Sequence, residues 1–137
     1  MNAVTTWTSE ELDRIGQAEE LHLATRQQGG MSRYVTMWVA QAGDSLYVRC
    51  AYGPGNPWYR RARAAGEGKV RAGSVERDVT FASAVSAVQG DIDAAYHAKY
   101  DRYGPQIVGS VTGPQAHAVT IRLTKAGQHD RTEGNKP

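Results

Sequence analysis

The chain has 137 residues, with 16 Lys or Arg against 14 Asp or Glu, and a formal net charge of +2. This length fits one domain with a proper core, and such balanced charge gives no general attraction to nucleic acid. No apolar run approaches the ~20 residues that cross a bilayer, and the N-terminus lacks the blocks of a secretory signal, so we expect a cytoplasmic protein bound to neither membrane nor nucleic acid.

Cysteine and histidine place further limits on the chemistry. The single cysteine, Cys50, excludes an internal disulfide. The four histidines stand at positions 22, 97, 117 and 129, with no spacing typical of a zinc site. We therefore predict no metal site.

The first helix is predicted over residues 9–18. Thr8 and Glu11 form a capping-box pattern, and Trp7 with Leu12 forms a hydrophobic staple around it. These paired signals at one helix start make this the best-defined element of the sequence.

Three antiparallel strands are predicted to follow. Apolar and other residues alternate over 21–25 and 32–40, with a turn at 27–30 between them. A second turn at Gly43-Asp44 leads into a strand at 46–50. Because side chains alternate along a strand, Tyr47 and Arg49 should lie on the face opposite the apolar set.

A candidate anion site follows this third strand. The segment 53–55 is a Gly/Pro-rich turn, and Asn56 with Pro57 should cap a helix that ends before Gly66. Free amides at a helix start can face a phosphate, and Arg60 and Arg61 add positive charge there. The competing interpretation is that these arginines are solvated and the turn only redirects the chain.

The second half predicts a hairpin, a helix and a last strand. The hairpin spans 69–72 and 75–81, residues 82–90 are ambiguous, the helix covers 91–103, and the strand covers 116–124 with Val119, Ile121 and Leu123 inward. We expect residues 1–125 to form a single domain and residues 126–137 a disordered tail. Six strands with inserted helices predict a mainly β fold, a closed or split antiparallel barrel.

Two segments together carry a family resemblance. Residues 23–39, LATRQQGGMSRYVTMWV, and residues 46–73, LYVRCAYGPGNPWYRRARAAGEGKVRAG, resemble the cofactor-binding half of the flavin-binding split-barrel superfamily. That superfamily includes pyridoxamine phosphate oxidases and deazaflavin-dependent reductases, and a small uncharacterised family within it resembles nearly the whole chain. The resemblance implies a six-stranded split β-barrel, usually a homodimer, with FMN or a deazaflavin in a groove at its side.

The resemblance also implies a set of cofactor-binding residues. They come from the hairpin, the loop and the helix that follow: Ser32, Arg33, Arg49, Cys50, Ala51, Tyr52, Gly53, Trp58 and Arg61. The basic hairpin common in the deazaflavin branch is here Gln27, Gln28 and two glycines, and Cys50 replaces a small hydroxyl residue. These departures favour a singly phosphorylated flavin, another phosphorylated ligand or no cofactor over a polyanionic deazaflavin tail.

Tyrosines are the candidate proton donors. We expect Tyr52, in the turn, to be the catalytic donor, and Tyr34, Tyr96, Lys99 and Tyr100 to contact a small-molecule substrate. The helical tyrosines could equally pack against the barrel with their hydroxyls at its rim.

Three functions remain open from the sequence. The first is an oxidoreductase that uses a flavin or deazaflavin on a small organic molecule. The others are a cofactor-free split-barrel enzyme of specialised metabolism, a cyclase or isomerase, and a non-enzymatic flavin- or haem-binding module.

Overall fold

The computed structural model describes residues 6–51 and 55–126 of the chain. Tyr52, Gly53 and the predicted tail beyond residue 126 lie outside the described residues. The helices are α1 Ser9–Gly16, α2 Pro57–Ala65, α3 Gln89–Tyr100, α4 Pro105–Val108 and α5 Pro114–His117. The strands are β1 Leu21–Gln27, β2 Gly30–Met31, β3 Val35–Met37, β4 Ala40–Ala42, β5 Ser45–Arg49, β6 Glu67–Ala72, β7 Val75–Ser83 and β8 Thr120–Lys125.

All the described strands pair in one antiparallel sheet. Its order is β2-β1-β6-β7-β8-β5-β4, and β3 also pairs with β1. Because β3 pairs with β1 and the next strand β4 pairs with β5, the segment 35–42 brings the two ends of the sheet together. The predicted fold class is confirmed: a mainly β split barrel with inserted helices.

The predicted number of strands was wrong, since the sheet has eight strands rather than six. The region of the single strand expected over 32–40 contains only β3 and the first residue of β4, and the short strand β2 precedes it. One break occurs where the Ser32 hydroxyl accepts the Thr25 backbone N–H at 2.9 Å. The other is at Val39, where the Tyr100 hydroxyl accepts its N–H and the Lys99 ammonium donates to its C=O. Side chains thus form hydrogen bonds with backbone N–H and C=O groups where the pairing between strands stops.

Helix α1 begins as its sequence pattern predicts. The Thr8 hydroxyl accepts the Glu11 N–H at 3.1 Å, and the Glu11 carboxylate accepts the Thr8 N–H at 2.9 Å. The Trp7 side chain is buried, and its indole N–H donates to the Leu123 carbonyl at 3.0 Å. The capping box is confirmed, and it holds the helix start against β8.

Helix α3 and the last strand differ most from their predicted bounds. Helix α3 ends at Tyr100 and continues as a 3-10 turn at Asp101–Tyr103. The last strand begins at Thr120 rather than 116, because the residues before it form α5 behind Pro114. The hairpin of β6 and β7 is confirmed, with Gly73 and Ser74 at φ values of 55° and 71° in its turn.

The core divides into two apolar clusters that share β5. Leu46, Val48 and Cys50 lie in the cluster inside the barrel, whereas Tyr47 packs under α3 in the second cluster. The predicted alternation of β5 is confirmed, although both faces of the strand are buried. Within the described residues, no helix is long and apolar enough to span a bilayer.

Candidate functional site

A cavity of about 330 Å³ opens at the side of the barrel. It lies between β3, the end of β5, the start of α2, helix α4 and the turn that follows α4. Its described lining is mostly apolar: Val35, Thr36, Met37, Trp38, Arg49, Ala51, Asn56, Trp58, Ile107, Ser110 and Val111. This volume and this lining are typical of sites for small organic ligands.

Two indole rings form rigid parts of the wall. Trp38 stacks on Tyr100 with ring centroids 4.0 Å apart and planes 5° from parallel. The Tyr100 hydroxyl is itself fixed, because it donates to the Glu19 carbonyl at 2.8 Å. Trp58 is 5% exposed and meets Tyr59 edge to face. The cavity is therefore preformed on its aromatic sides.

Arg49 is the positively charged residue of the described lining. Its guanidinium N–H groups already donate hydrogen bonds to other residues of the protein. Its Nη1 donates to Asp93 at 2.5 Å and to the Val111 carbonyl at 2.8 Å, and its Nε donates to Thr120 at 2.9 Å. Its Nη2 donates to the side chain and the backbone carbonyl of Gln89 at 2.7 and 3.4 Å. A guanidinium has five N–H donors, so each has a partner within the fold.

Asp93 connects this cation to the surface. Its second carboxylate oxygen lies 3.0 Å from His117 Nε2, and the Gly113 N–H donates to its first. Burial acts to raise the pKa of Asp93, but the hydrogen bonds from His117 and Arg49 outweigh it and hold that pKa below its usual range. The Arg49 charge is thereby neutralised, and the network fixes the Val111 wall against β5.

The start of α2 is also satisfied internally. Pro57 has no N–H, and the Trp58 N–H donates to the Asn56 side-chain oxygen at 3.3 Å. The N–H groups of Tyr59 and Arg60 donate to the Asn56 carbonyl at 3.1 and 3.2 Å. The amides that we expected to face an anion are therefore engaged at the helix start.

The predicted cofactor residues fall into separate groups. Arg49, Ala51 and Trp58 line the cavity. Cys50 is buried next to it, and burial raises the pKa of its thiol. Three others do not line the described cavity: Ser32, which holds the hairpin, and the exposed Arg33 and Arg61. Tyr52 and Gly53 are outside the residues that the structure describes.

The structure does not bring the predicted substrate residues to the cavity. Tyr34 donates to Glu76 at 2.6 Å, and burial together with that carboxylate raises its pKa to about 12. Tyr96 and Tyr100 are fully buried, and burial raises both their pKa values. Burial lowers the pKa of Lys99 to about 8. Tyr96 and Tyr100 therefore pack in the core rather than facing a substrate, and the ring of Tyr100 stacks on that of Trp38.

Sequence reasoning missed one wall of the cavity. Ile107, Ser110 and Val111 come from the segment between α3 and β8, to which we assigned no element. Gly104 followed by Pro105 is a helix-start pattern that could have indicated α4. Nothing local in the sequence indicates that this segment folds over the end of β5.

One known protein family matches most of this chain. A family model described as "Uncharacterized protein conserved in bacteria (DUF2255)" matches residues 11–123. No curated protein matches the sequence.

Several solved structures share the fold. One from Listeria innocua, named "Putative Pyridoxamine 5'-phosphate oxidase", has 12% identity and a TM-score of 0.54, covering 87% of this chain and 91% of that one. An FAD-binding protein from Mesorhizobium loti has 17% identity and a TM-score of 0.54, covering 88% and 91%. An F420 reductase has 18% identity and a TM-score of 0.52, covering 85% and 92%. At these identities the likeness establishes the split-barrel fold alone.

Proposed function

The chain belongs to the DUF2255 family of bacterial proteins, and from this premise we propose that it is an oxidoreductase that holds the ring of a flavin or deazaflavin in the cavity beside β3. The reacting partner would be a small organic molecule. FMN and a deazaflavin remain the candidate cofactors.

The observation that carries the proposal is the preformed aromatic cavity. Its volume of about 330 Å³ suits a fused ring system, and Trp38 and Trp58 supply flat apolar walls. The same fold is shared with an FAD-binding protein and an F420 reductase, which supports a ligand of this type.

The protein itself would orient the bound ring and exclude water from it. A bound flavin would supply the redox chemistry, which side chains alone cannot perform. Trp38 is held in place by Tyr100, and Val111 by Arg49, so the walls can fix the plane of a ring. Tyr52 remains the proposed proton donor, and Ala51 the neighbouring contact.

The first test is spectroscopic. The visible absorbance of the purified protein should show a flavin-type chromophore, or the protein should bind added FMN or deazaflavin at micromolar concentration. Failure of all of these to bind at tens of micromolar would reject the oxidoreductase proposal and favour the cofactor-free cyclase or isomerase.

A pair of matched variants tests whether the cavity is the site. Ile107 is 42% exposed and lines the cavity, whereas Val85 is 64% exposed and does not line it. Ile107→Trp should fill the cavity mouth and weaken flavin binding by about tenfold or more. Val85→Trp adds the same ring elsewhere and should leave flavin affinity unchanged. Equal affinities in both variants would place the ligand outside this cavity.

A further inference from the structure

We propose that the described wall of the cavity selects an uncharged planar ring that carries hydrogen-bond acceptors, and that none of the described lining residues recognises a phosphate group. The inference rests on the proposed function and deepens it. For flavins, this inference means that riboflavin and FMN bind with almost equal affinity. The Asn56 amide would donate a hydrogen bond to the ring.

The first step concerns positive charge at the wall. Arg49 is the cation among the described lining residues, its side chain is fully buried, and all five of its donors have partners. A phosphate that took one of these donors would deprive Asp93, Gln89 or the Val111 carbonyl of its hydrogen bond. Buried polar groups that lose a partner are costly, so this exchange is unfavourable.

The second step concerns the remaining candidates for anion binding. The first N–H groups of α2 are engaged by Asn56. Arg60 and Arg61 are exposed and lie outside the described lining. Exposed charges of this kind are screened by water and salt, so they contribute little to affinity.

The third step concerns the neutral polar groups of the wall. The Ser110 hydroxyl donates to the Ile107 carbonyl at 2.6 Å, and the Thr36 hydroxyl lies 2.9 Å from His22 Nδ1. Asn56 is exposed at the mouth of the cavity; its side-chain oxygen accepts the Trp58 N–H, and its amide NH₂ donates to none of the residues that the structure describes. Asn56 therefore offers an uncharged donor beside two indole rings, a combination that suits a ring carbonyl or ring nitrogen.

The direct test compares ligands that differ only in their phosphate. Riboflavin and FMN are titrated into the purified protein at physiological salt, and tryptophan fluorescence reports binding. The deazaflavin with and without its phosphate-bearing tail forms a second pair, and lumichrome supplies the flavin ring alone. Within each pair, we expect dissociation constants that agree within about threefold.

The outcomes separate the inference from the function on which it rests. FMN binding about tenfold or more tighter than riboflavin would overturn the inference and leave the flavin proposal standing. Binding of lumichrome without binding of any flavin or deazaflavin would overturn the proposed function while supporting a neutral planar ligand. Binding of none of these probes would overturn both.

Two variants test the role of Asn56. Asp and Ser cap helices about as well as Asn, so Asn56→Asp and Asn56→Ser should keep α2 and the melting temperature. Both remove the amide donor, and we expect each to weaken riboflavin binding by about tenfold. Because the phosphate is not recognised, Asn56→Asp should weaken the binding of riboflavin and the binding of FMN by the same factor. Unchanged riboflavin affinity in both variants would remove Asn56 from the site.

Discussion

Arg49 is a buried charge whose partners come from three separate parts of the chain: α3, the segment before α5, and β8. Thr120, Gln89, Asp93 and Val111 surround its guanidinium, and the Tyr96 ring lies 5.5 Å from it. A buried ion pair costs desolvation energy, so it adds little net stability but cannot lose one member cheaply. Its evident role is to join α3 and the α4–α5 segment to the barrel.

This role predicts a large effect of Arg49→Gln on stability. The substitution leaves the Asp93 carboxylate without its arginine partner, and we expect the free energy of unfolding to fall by about 3 kcal/mol. Urea denaturation measures the change. Arg61→Gln is the matched control, since an exposed arginine should change stability by less than about 0.5 kcal/mol. Similar values for both variants would contradict the structural role of Arg49.

At the scale of elements, α1 is attached to the sheet through one carboxylate. Glu11 is buried and accepts hydrogen bonds from Arg77 at 2.7 Å and from Lys125 at 2.8 Å. Burial acts to raise its pKa, but the bonds from Lys125, the Thr8 amide and Arg77 together lower it to about 2. The same residue that caps α1 therefore links it to β7 and β8.

This attachment predicts a pH-dependent effect of Glu11→Gln. Glutamine preserves the capping-box bond but removes the charge, so we expect a loss of about 2 kcal/mol of unfolding free energy at neutral pH. The pKa of Glu11 falls from 4.5 to about 2 on folding, so its contribution is present above pH 4.5 and is lost as pH falls toward 2. Denaturation of both proteins across this range should show the difference shrinking. A difference that is constant with pH would refute the ionic attachment.

At the scale of the whole molecule, one interrupted segment crosses from one end of the open sheet to the other. The chain leaves β1 at Met37 and joins β5 at Ala40, and Tyr100 and Lys99 hold Val39 between them. The same crossing places Trp38 in the cavity wall. The crossing between the two ends of the sheet and the shape of the site thus depend on the same few contacts with α3.

The family resemblance predicts a homodimer at this scale. Sedimentation equilibrium of the purified protein should give twice the chain mass at micromolar concentration. The apolar residues Tyr103 and Ile107 are 47% and 42% exposed, so Ile107→Asp together with Tyr103→Asp would test whether this surface is the interface. A monomer at all concentrations in the wild type would contradict the prediction.

Elements with local sequence signals could be predicted without the structure. The capping box of α1, the Asn-Pro start and Gly66 end of α2, and the Gly73-Ser74 hairpin all appear as predicted. Each depends on contacts within a few residues, where backbone conformation and short hydrogen bonds decide the structure. The fold class followed from their order and from the family resemblance.

Long-range packing determines which groups are available to a ligand. Arg49 and the start of α2 looked like an anion site in sequence, but only long-range packing shows their donors already engaged. The tyrosines of α3 are buried for the same reason, and Ile107 and Val111 reach the cavity through a segment with no distinct pattern. Hydrogen-bond partners distant in sequence cannot be read from local spacing, because the fold alone brings them into contact.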